Sequence, residues 1–158
     1  MGKKKPTKTP IIENRRARHD YAIEDTLEVG IVLLGTEVKS LRKGQASLAE
    51  GWIRASQRPI RLSMHGVHIS EYSDAGPTHQ HDPTRTRVLL AHKREIIKLA
   101  TFTNSQGNTL VPLKIYFSNN KAKVLVGLAS GKRKSDKRQD LAKKDAKRDM
   151  DRAMKRRM

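Results

Sequence analysis

The chain has 158 residues with 34 Lys and Arg against 16 Asp and Glu, a net charge of +18, so it has room for one compact domain plus a tail and points to a polyanionic partner. It contains no cysteine, which excludes disulfides, thiolate zinc sites, iron–sulfur clusters and cysteine nucleophiles. No apolar run approaches the roughly 18 to 20 residues of a membrane span, and the basic start MGKKKPTKTP lacks the apolar stretch of a signal peptide, so a cytoplasmic protein is expected.

The charge is concentrated at the ends. Residues 1–18 hold seven basic side chains against Glu13, and residues 131–158 hold thirteen against five Asp. Neither end has an apolar pattern able to offset the entropy of ordering, so both are expected to be disordered in isolation and the fold to lie within 19–130. In that middle, HDYAIEDTLEVGIVLL alternates polar and apolar at Leu27, Val29, Ile31 and Leu33, the signature of a half-buried strand, with Gly30 as a bend or bulge. Thr36 precedes EVKSLR, a short helix that Gly44 ends. WIRAS, PIRLSMHG and VHISEY read as a meander of brief strands, and SDAGPTHQHDPTRTR as a loop. LLAHKREIIKLATF then spaces Leu89, Leu90, Ile96, Ile97, Leu99 and Phe102 as a core-packing helix. TLVPLKIYF and KAKVLVGLA flank SNN as a hairpin, with Val111, Leu113, Ile115 and Phe117 alternating on one strand.

About six strands and two or three helices emerge, mostly β with some α. The pattern fits a small closed antiparallel β-barrel of the oligonucleotide-binding type. The expected organisation is a disordered basic arm over 1–12, the barrel over 13–130 and a basic tail over 131–158.

Few residues suggest catalysis. His79, Gln80, His81 and Asp82 could hold a metal, with His65 and His68 as helpers, but no fuller ligand motif accompanies them. No serine lies in a nucleophile elbow. Gly30 and Gly35 have a phosphate-loop gap, yet Thr36 stands where Lys is required. The acids Glu24, Asp25, Glu28 and Glu37 are scattered, without a magnesium-binding pattern. Neither catalysis, nor a metal, nor a cofactor is expected. The six aromatics (Tyr21, Trp52, Tyr72, Phe102, Tyr116, Phe117) are few and several sit at core phases, so abundant basic residues reading folded RNA by shape and phosphates is the favoured chemistry. The tail GKRKSDKRQDLAKKDAKRDMDRAMKRRM has no Gly or Pro after Gly131 and is rich in Lys, Arg and Ala, with a thin stripe at Ala142, Ala146, Met150, Ala153 and Met154. It is ready to form a helix but too charged to bury one, so it is expected to fold inside a polyanionic groove.

Several blocks carry a resemblance: Asn14-Arg-Arg-Ala-Arg-His-Asp-Tyr21, Gly35-Thr-Glu-Val-Lys-Ser-Leu-Arg42, His81-Asp-Pro-Thr-Arg-Thr-Arg87, Val111-Pro-Leu-Lys-Ile-Tyr116 and Gly131-Lys-Arg-Lys-Ser-Asp-Lys-Arg138. In this order, from about residue 11 to 150, the chain resembles the bacterial tmRNA-binding proteins, also called SsrA-binding proteins. The resemblance implies a barrel that binds the tRNA-like domain of tmRNA near its elbow. With elongation factor Tu and GTP it would bring the alanylated RNA, charged by alanyl-tRNA synthetase, to the A site of a stalled ribosome for trans-translation. The tail would fold as a helix in the empty mRNA channel, against small-subunit rRNA.

Carried over by position, the resemblance implies that Asn14, Glu28, Leu90 and Lys123 contact the tRNA-like domain and that His19 faces the decoding centre. Gly131, Lys132, Asp136, Lys137 and Arg138 match the tail motif. Leu90 as partial core and Glu28 as an orienting group remain open alternatives. Ala22, Trp52, Val88 and Arg133 depart from the usual pattern. A generic basic ribosome-associated protein is the second reading, and an RNA-processing metal hydrolase built on His79, His81 and Asp82 the third.

Overall fold

A computed structural model describes residues 9–132 and 134–157. In chain order the elements are β1 (Ile12–Glu13), α1 (Arg15–Asp20), β2 (Tyr21–Ile31), α2 (Gly35–Arg42), β3 (Ala46–Ser47), β4 (Trp52–Gln57), β5 (Ile60–His65) and β6 (His68–Ile69). They continue with β7 (Arg87–Leu90), α3 (Lys93–Thr103), β8 (Asn108–Ser118), β9 (Lys121–Gly131) and α4 (Lys134–Arg157).

Six strands hydrogen-bond in the order β8-β4-β5-β7-β2-β9, and β9 returns to β8, so the antiparallel sheet closes on itself as a ring. Closure leaves no free edge among the six, the solution a small antiparallel sheet needs when it has no partner sheet to cover it. The long strands β2, β8 and β9 form its backbone. β8 and β9 turn at Asn119 and Asn120, both with positive φ of 50° and 61°, the pair of left-handed residues that a two-residue hairpin turn requires. The main core fills the ring with residues such as Val29, Ile53, Leu62, Leu89, Ile115 and Val126, and Leu41 of α2 with Ile96 and Leu99 of α3 join it.

Several sequence expectations are corrected. Leu89 and Leu90 belong to β7, not to the following helix: Leu89 is buried while Leu90 is 56% exposed, a strand's alternation, and the helix begins at Lys93, its start marked by Glu95 accepting from the His92 backbone N–H at 3.0 Å. The third brief strand shrinks to β6, which pairs with β3 in a separate two-stranded sheet. The register shift in β2 lies between Ile23 and Asp25 rather than at Gly30. Gly30 instead lets β7 approach, since a Cβ there would stand 3.3 Å from that of Leu90. A second bulge in β8, between Pro112 and Lys114, flips the strand's facing. Val111 and Leu113 therefore leave the main core and pack with Ala17 and Ala129 in a second cluster beneath α1, whereas Ile115 faces the interior.

The folded body also begins before residue 13. Ile12 is buried and pairs with Ile115, and Ala17 of α1 is buried, so residues 12–18 are ordered despite their charge. The rest of the expected disordered arm falls largely outside the described residues. The tail, expected to be disordered when free and helical when bound, forms the single helix α4 here.

Candidate nucleic-acid interface

The two blocks that most specify the resemblance meet inside the protein. Glu37 of GTEVKSLR is fully buried on α2. Its carboxylate accepts from Arg87, also fully buried, from Arg85 at 2.5 Å and from the Leu34 backbone N–H at 2.9 Å. Arg87 donates further to the carbonyls of Val67 at 2.8 Å and Pro83 at 3.0 Å. Burial alone would raise the Glu37 carboxyl, but the Leu34 N–H and the two guanidinium groups outweigh it and hold it below the usual carboxylate range. His81 joins the same bracket: its two ring nitrogens lie 2.8 Å from Thr36 Oγ1 and 2.9 Å from the Ile69 carbonyl. The proposed metal ligand is thus a buried structural imidazole. Its neighbour His79 is exposed and bonds Thr78, and among the described residues no three His, Asp or Glu side chains converge on a common point.

Three of the four expected RNA-contacting residues come together on the outside of the ring. In the ladders Gly30 of β2 stands opposite Leu90 of β7 on one side and Lys123 of β9 on the other. Lys123 in turn faces Tyr116 of β8. Glu28, two residues before Gly30, shares this outer face and accepts a short hydrogen bond from the Tyr116 hydroxyl. Burial, then the hydrogen bond and charge of Glu28, push the Tyr116 phenol up to about 12. Tyr116 therefore stays a donor and fixes the Glu28 carboxylate. Lys114 lies 5.6 Å from the Tyr116 ring centroid. Beside this row a groove of about 450 Å³ is lined by Gly30, Leu33, Val38, Leu90, Phe117 and Lys123, with the Arg42 guanidinium 5.2 Å from the Phe117 ring. The exposed Leu90, lying over Gly30, suits a ribose or base face, Lys123 suits a phosphate, and a pre-oriented carboxylate accepts from a base N–H or a ribose 2′-OH. Sequence reasoning missed Tyr116 because alternation with Ile115 and Phe117 gives its facing but not the Glu28 carboxylate that the β2–β9–β8 ladder brings to it.

Asn14 lies elsewhere and is 6% exposed. Its Oδ1 caps α1 by accepting from the Ala17 N–H at 3.1 Å, and its Nδ2 donates to the carbonyls of Leu48 at 3.1 Å and Pro112 at 3.0 Å. With every polar atom of the side chain engaged, Asn14 holds α1 against the ring.

The remaining candidates gather at the opposite end of β2 and β9. His19 Nδ1 lies 3.1 Å from Asp20 Oδ1. Gly131 pairs with Tyr21, the Lys132 backbone N–H donates to the Asp20 carbonyl at 3.3 Å, and Lys132 Nζ donates to the Arg18 carbonyl at 3.0 Å and to Asp140. Lys137 Nζ lies 3.5 Å from Asp20 Oδ1 and Arg16 Nε 3.3 Å from Asp20 Oδ2. Asp20 thus joins α1 to the root of α4. The His19 hydrogen bond, helped by Lys137 and Arg16 against partial burial, holds its carboxyl below the usual range. Arg138 is exposed on α4, and Asp136 lies in the same helix with its side chain outside the described residues; Arg133 lies outside the described residues altogether.

Of the other departures, Ala22 is exposed on β2, and Trp52 and Val88 are exposed on the outer faces of β4 and β7. No helix of the described residues is long and apolar enough to cross a membrane.

Residues 11–156 match the SmpB protein family. The chain is 54% identical over 147 residues to an SsrA-binding protein of Thermobifida fusca, covering 93% of this chain and 90% of that one. It is 52% identical over 153 residues to an SsrA-binding protein of Staphylococcus carnosus, covering 97% and 96%. A solved structure described as "tmRNA-SmpB: a journey to the center of the bacterial ribosome" is similar at 45% identity and a TM-score of 0.67, over 84% of this chain and 94% of the other. With an ordered match along nearly its whole length, the chain belongs to the SmpB family, whose members are RNA-binding proteins and not enzymes.

Proposed function

We propose that this protein binds the tRNA-like domain of tmRNA and brings it to the A site of stalled ribosomes in the cytoplasm for trans-translation, together with elongation factor Tu and GTP and after charging by alanyl-tRNA synthetase. Family membership supports tmRNA binding and work on the ribosome. The finer assignment rests on the separation of two sets of residues. Glu28, Leu90 and Lys123 gather near one end of β2 and β9, while His19, Lys132 and the root of α4 sit eight residues further along β9, roughly 27 Å at ~3.4 Å per strand residue. One end can hold the tRNA-like domain while the other presents His19 to the decoding centre and α4 to the mRNA channel. Gly131, Lys132, Asp136, Lys137 and Arg138 form the junction from which the basic helix would enter that channel, among the phosphates of small-subunit rRNA.

Two variants test the division. Ending the chain after Lys132 keeps the Tyr21–Gly131 pair and the bonds of Lys132 to Arg18 and Asp20, so folding and tmRNA affinity should remain while peptide tagging on stalled ribosomes is lost. Lys123→Ala should weaken binding to a tRNA-like-domain transcript about fivefold and lower the salt slope by close to one phosphate, ~0.7–0.9 in log–log terms. Tagging at the full rate by the shortened chain would refute the assignment of α4. Unchanged binding and salt slope in Lys123→Ala would refute the RNA face and favour a generic ribosome-associated protein.

A further inference from the structure

The β4–β5 hairpin bears a second outer surface that the residues discussed above do not use. Trp52, Arg54 and Ser56 project from β4 opposite His65, Ser63 and Arg61 of β5, and Arg58 sits in the turn between the strands. Arg54, Arg58 and Arg61 are exposed, and none pairs with a carboxylate among the described residues. A groove of about 350 Å³ runs between them and contains no acidic residue in its lining. Arg54 and Arg61 occupy diagonal positions on one face, ~7–8 Å apart by strand geometry, so each can meet a different phosphate. Three like charges facing one groove without a counterion repel one another, and a polyanion laid along the groove removes that cost.

The aromatic end of the groove is built for stacking. The Trp52 and His65 rings lie 4.2 Å apart at 11°, and Trp52 is still 47% exposed. The imidazole is held on both nitrogens, by Ser63 Oγ at 2.9 Å and Thr86 Oγ1 at 3.3 Å. Burial, then the charge of Arg54, keep it below the ordinary histidine range, so it backs the indole as a neutral ring. One indole face is thus supported by a fixed ring while the indole remains open to a further planar group. An aromatic platform continuous with a row of arginines matches an unstacked nucleotide with its flanking phosphates, since the base supplies the plane and the backbone the charges.

Continuity of the surface decides which RNA. Ser63 of β5 stands opposite Val88 of β7, and Leu90, two residues on and on the same outer face, stands opposite Gly30 in the row that ends at Lys123. The arginine groove is therefore the same outer surface carried round two more strands of the ring. We propose that the outer face of the β4–β5 hairpin is a second contact with the RNA held at Glu28, Leu90 and Lys123, with an unpaired base stacked on Trp52 and neighbouring phosphates on Arg54, Arg58 and Arg61. This inference rests on the tmRNA-binding reading and extends it to a wrapped interface.

Trp52 is the chain's one tryptophan, so its emission reports the contact directly. In the full-length protein, titration with a tRNA-like-domain transcript should quench that emission in step with binding. Replacing Arg54, Arg58 and Arg61 together by Gln should weaken binding tenfold or more and lower the log–log salt slope by about 2, near 0.7–0.9 for each phosphate released. Trp52→Phe, which keeps a ring, should bind better than Trp52→Ala. Binding that Lys123→Ala weakens, but that leaves Trp52 emission unchanged and ignores the triple substitution, overturns the second contact and leaves the first intact. Absence of binding by the unsubstituted protein overturns both. A triple variant that binds the transcript normally but loses ribosome association also overturns the proposal, assigning the groove to ribosomal RNA instead.

Discussion

The closed ring and helix α4 treat charge in opposite ways. In the ring, charges withdrawn from water are matched by partners of the same chain: Glu37 meets Arg85, Arg87 and the Leu34 N–H, and Arg87 spends its other donors on two carbonyls. In α4, eleven basic residues face five Asp, and Leu141, Met150 and Met154 remain exposed. Its attachment is concentrated at the root, through Lys137 to Asp20 and Asp140 to Lys132. The ring's shape is thus fixed by internal partners, whereas α4 offers its charge to another molecule. The two regions differ in composition as well as in partners, because only the ring has apolar strands to build a core around its ions.

The comparison breaks first at Glu37. Glu37→Ala leaves two guanidinium groups without their carboxylate, one of them fully buried, and should cost about 3–5 kcal/mol in denaturant unfolding. Because folding lowers the Glu37 carboxyl, its contribution is present above the ordinary carboxylate range and is lost as pH falls through the folded value. The stability difference from the unsubstituted protein should therefore shrink in acid. A loss below 1 kcal/mol at neutral pH would mean that the bracket does not hold the ring.

Asn14 comes next and separates positioning from contact. Asn14→Ala removes the α1 cap and takes one donor from each of the Leu48 and Pro112 carbonyls, of which Leu48 keeps the Gly51 N–H, for about 1–3 kcal/mol. If Asn14 acts by holding α1, RNA affinity should fall only as far as the folded fraction falls, and a stabilising co-solvent should restore it. Weaker RNA binding with unchanged unfolding would make Asn14 a direct contact.

At the proposed RNA face the effect is smaller and spectroscopic. With the Tyr116 phenol pushed up to about 12, its stabilising proton is fully bound below the ordinary tyrosine value near 10 and is lost as pH rises through about 12. A tyrosinate absorbance step near pH 12 should vanish in Tyr116→Phe. That variant should also bind RNA more weakly without a matching loss of stability at neutral pH, because Glu28 loses the donor that orients it.

The ring was largely legible because its strands alternate cleanly, its hairpin turn carries two asparagines and its helices end at recognisable signals. The errors are local. Leu89 and Leu90 fit the next helix in sequence because two adjacent leucines suit either period, and the ladders to Ile31, Gly30 and Leu62 with the exposure of Leu90 decide for a strand. The facing of Val111 and Leu113 relative to Ile115 depends on one extra residue in β8, which alternation cannot announce. Glu37, His81 and Arg87 lie far apart in the chain, and their meeting is a property of the closed ring. Glu28, Leu90 and Lys123 came from the resemblance, whereas the residues that shape their surroundings, Gly30, Tyr116 and Phe117, required the fold. The exposure of Trp52 is not legible in the sequence, because an aromatic on a short strand is more often core.

The smallest expected effect lies where the two regions join. Asp20 bonds His19, faces Lys137 and Arg16, and accepts the Lys132 N–H through its carbonyl, so its carboxylate is the electrostatic link between α1 and α4. Asp20→Asn keeps the backbone link and the side-chain shape while removing the charge. Since these partners are partly exposed, global stability should change by less than about 1 kcal/mol. Folding lowers the Asp20 carboxyl, so this small contribution exists above the ordinary carboxylate range and fades as pH falls, and the two proteins should converge in acid. Local opening should be more sensitive than global unfolding. Amide hydrogen exchange at residues 137–141 should quicken in the variant while the β8–β9 amides keep their protection. Equal exchange at the root of α4 would mean that the helix is held there by Lys132 and Asp140 alone.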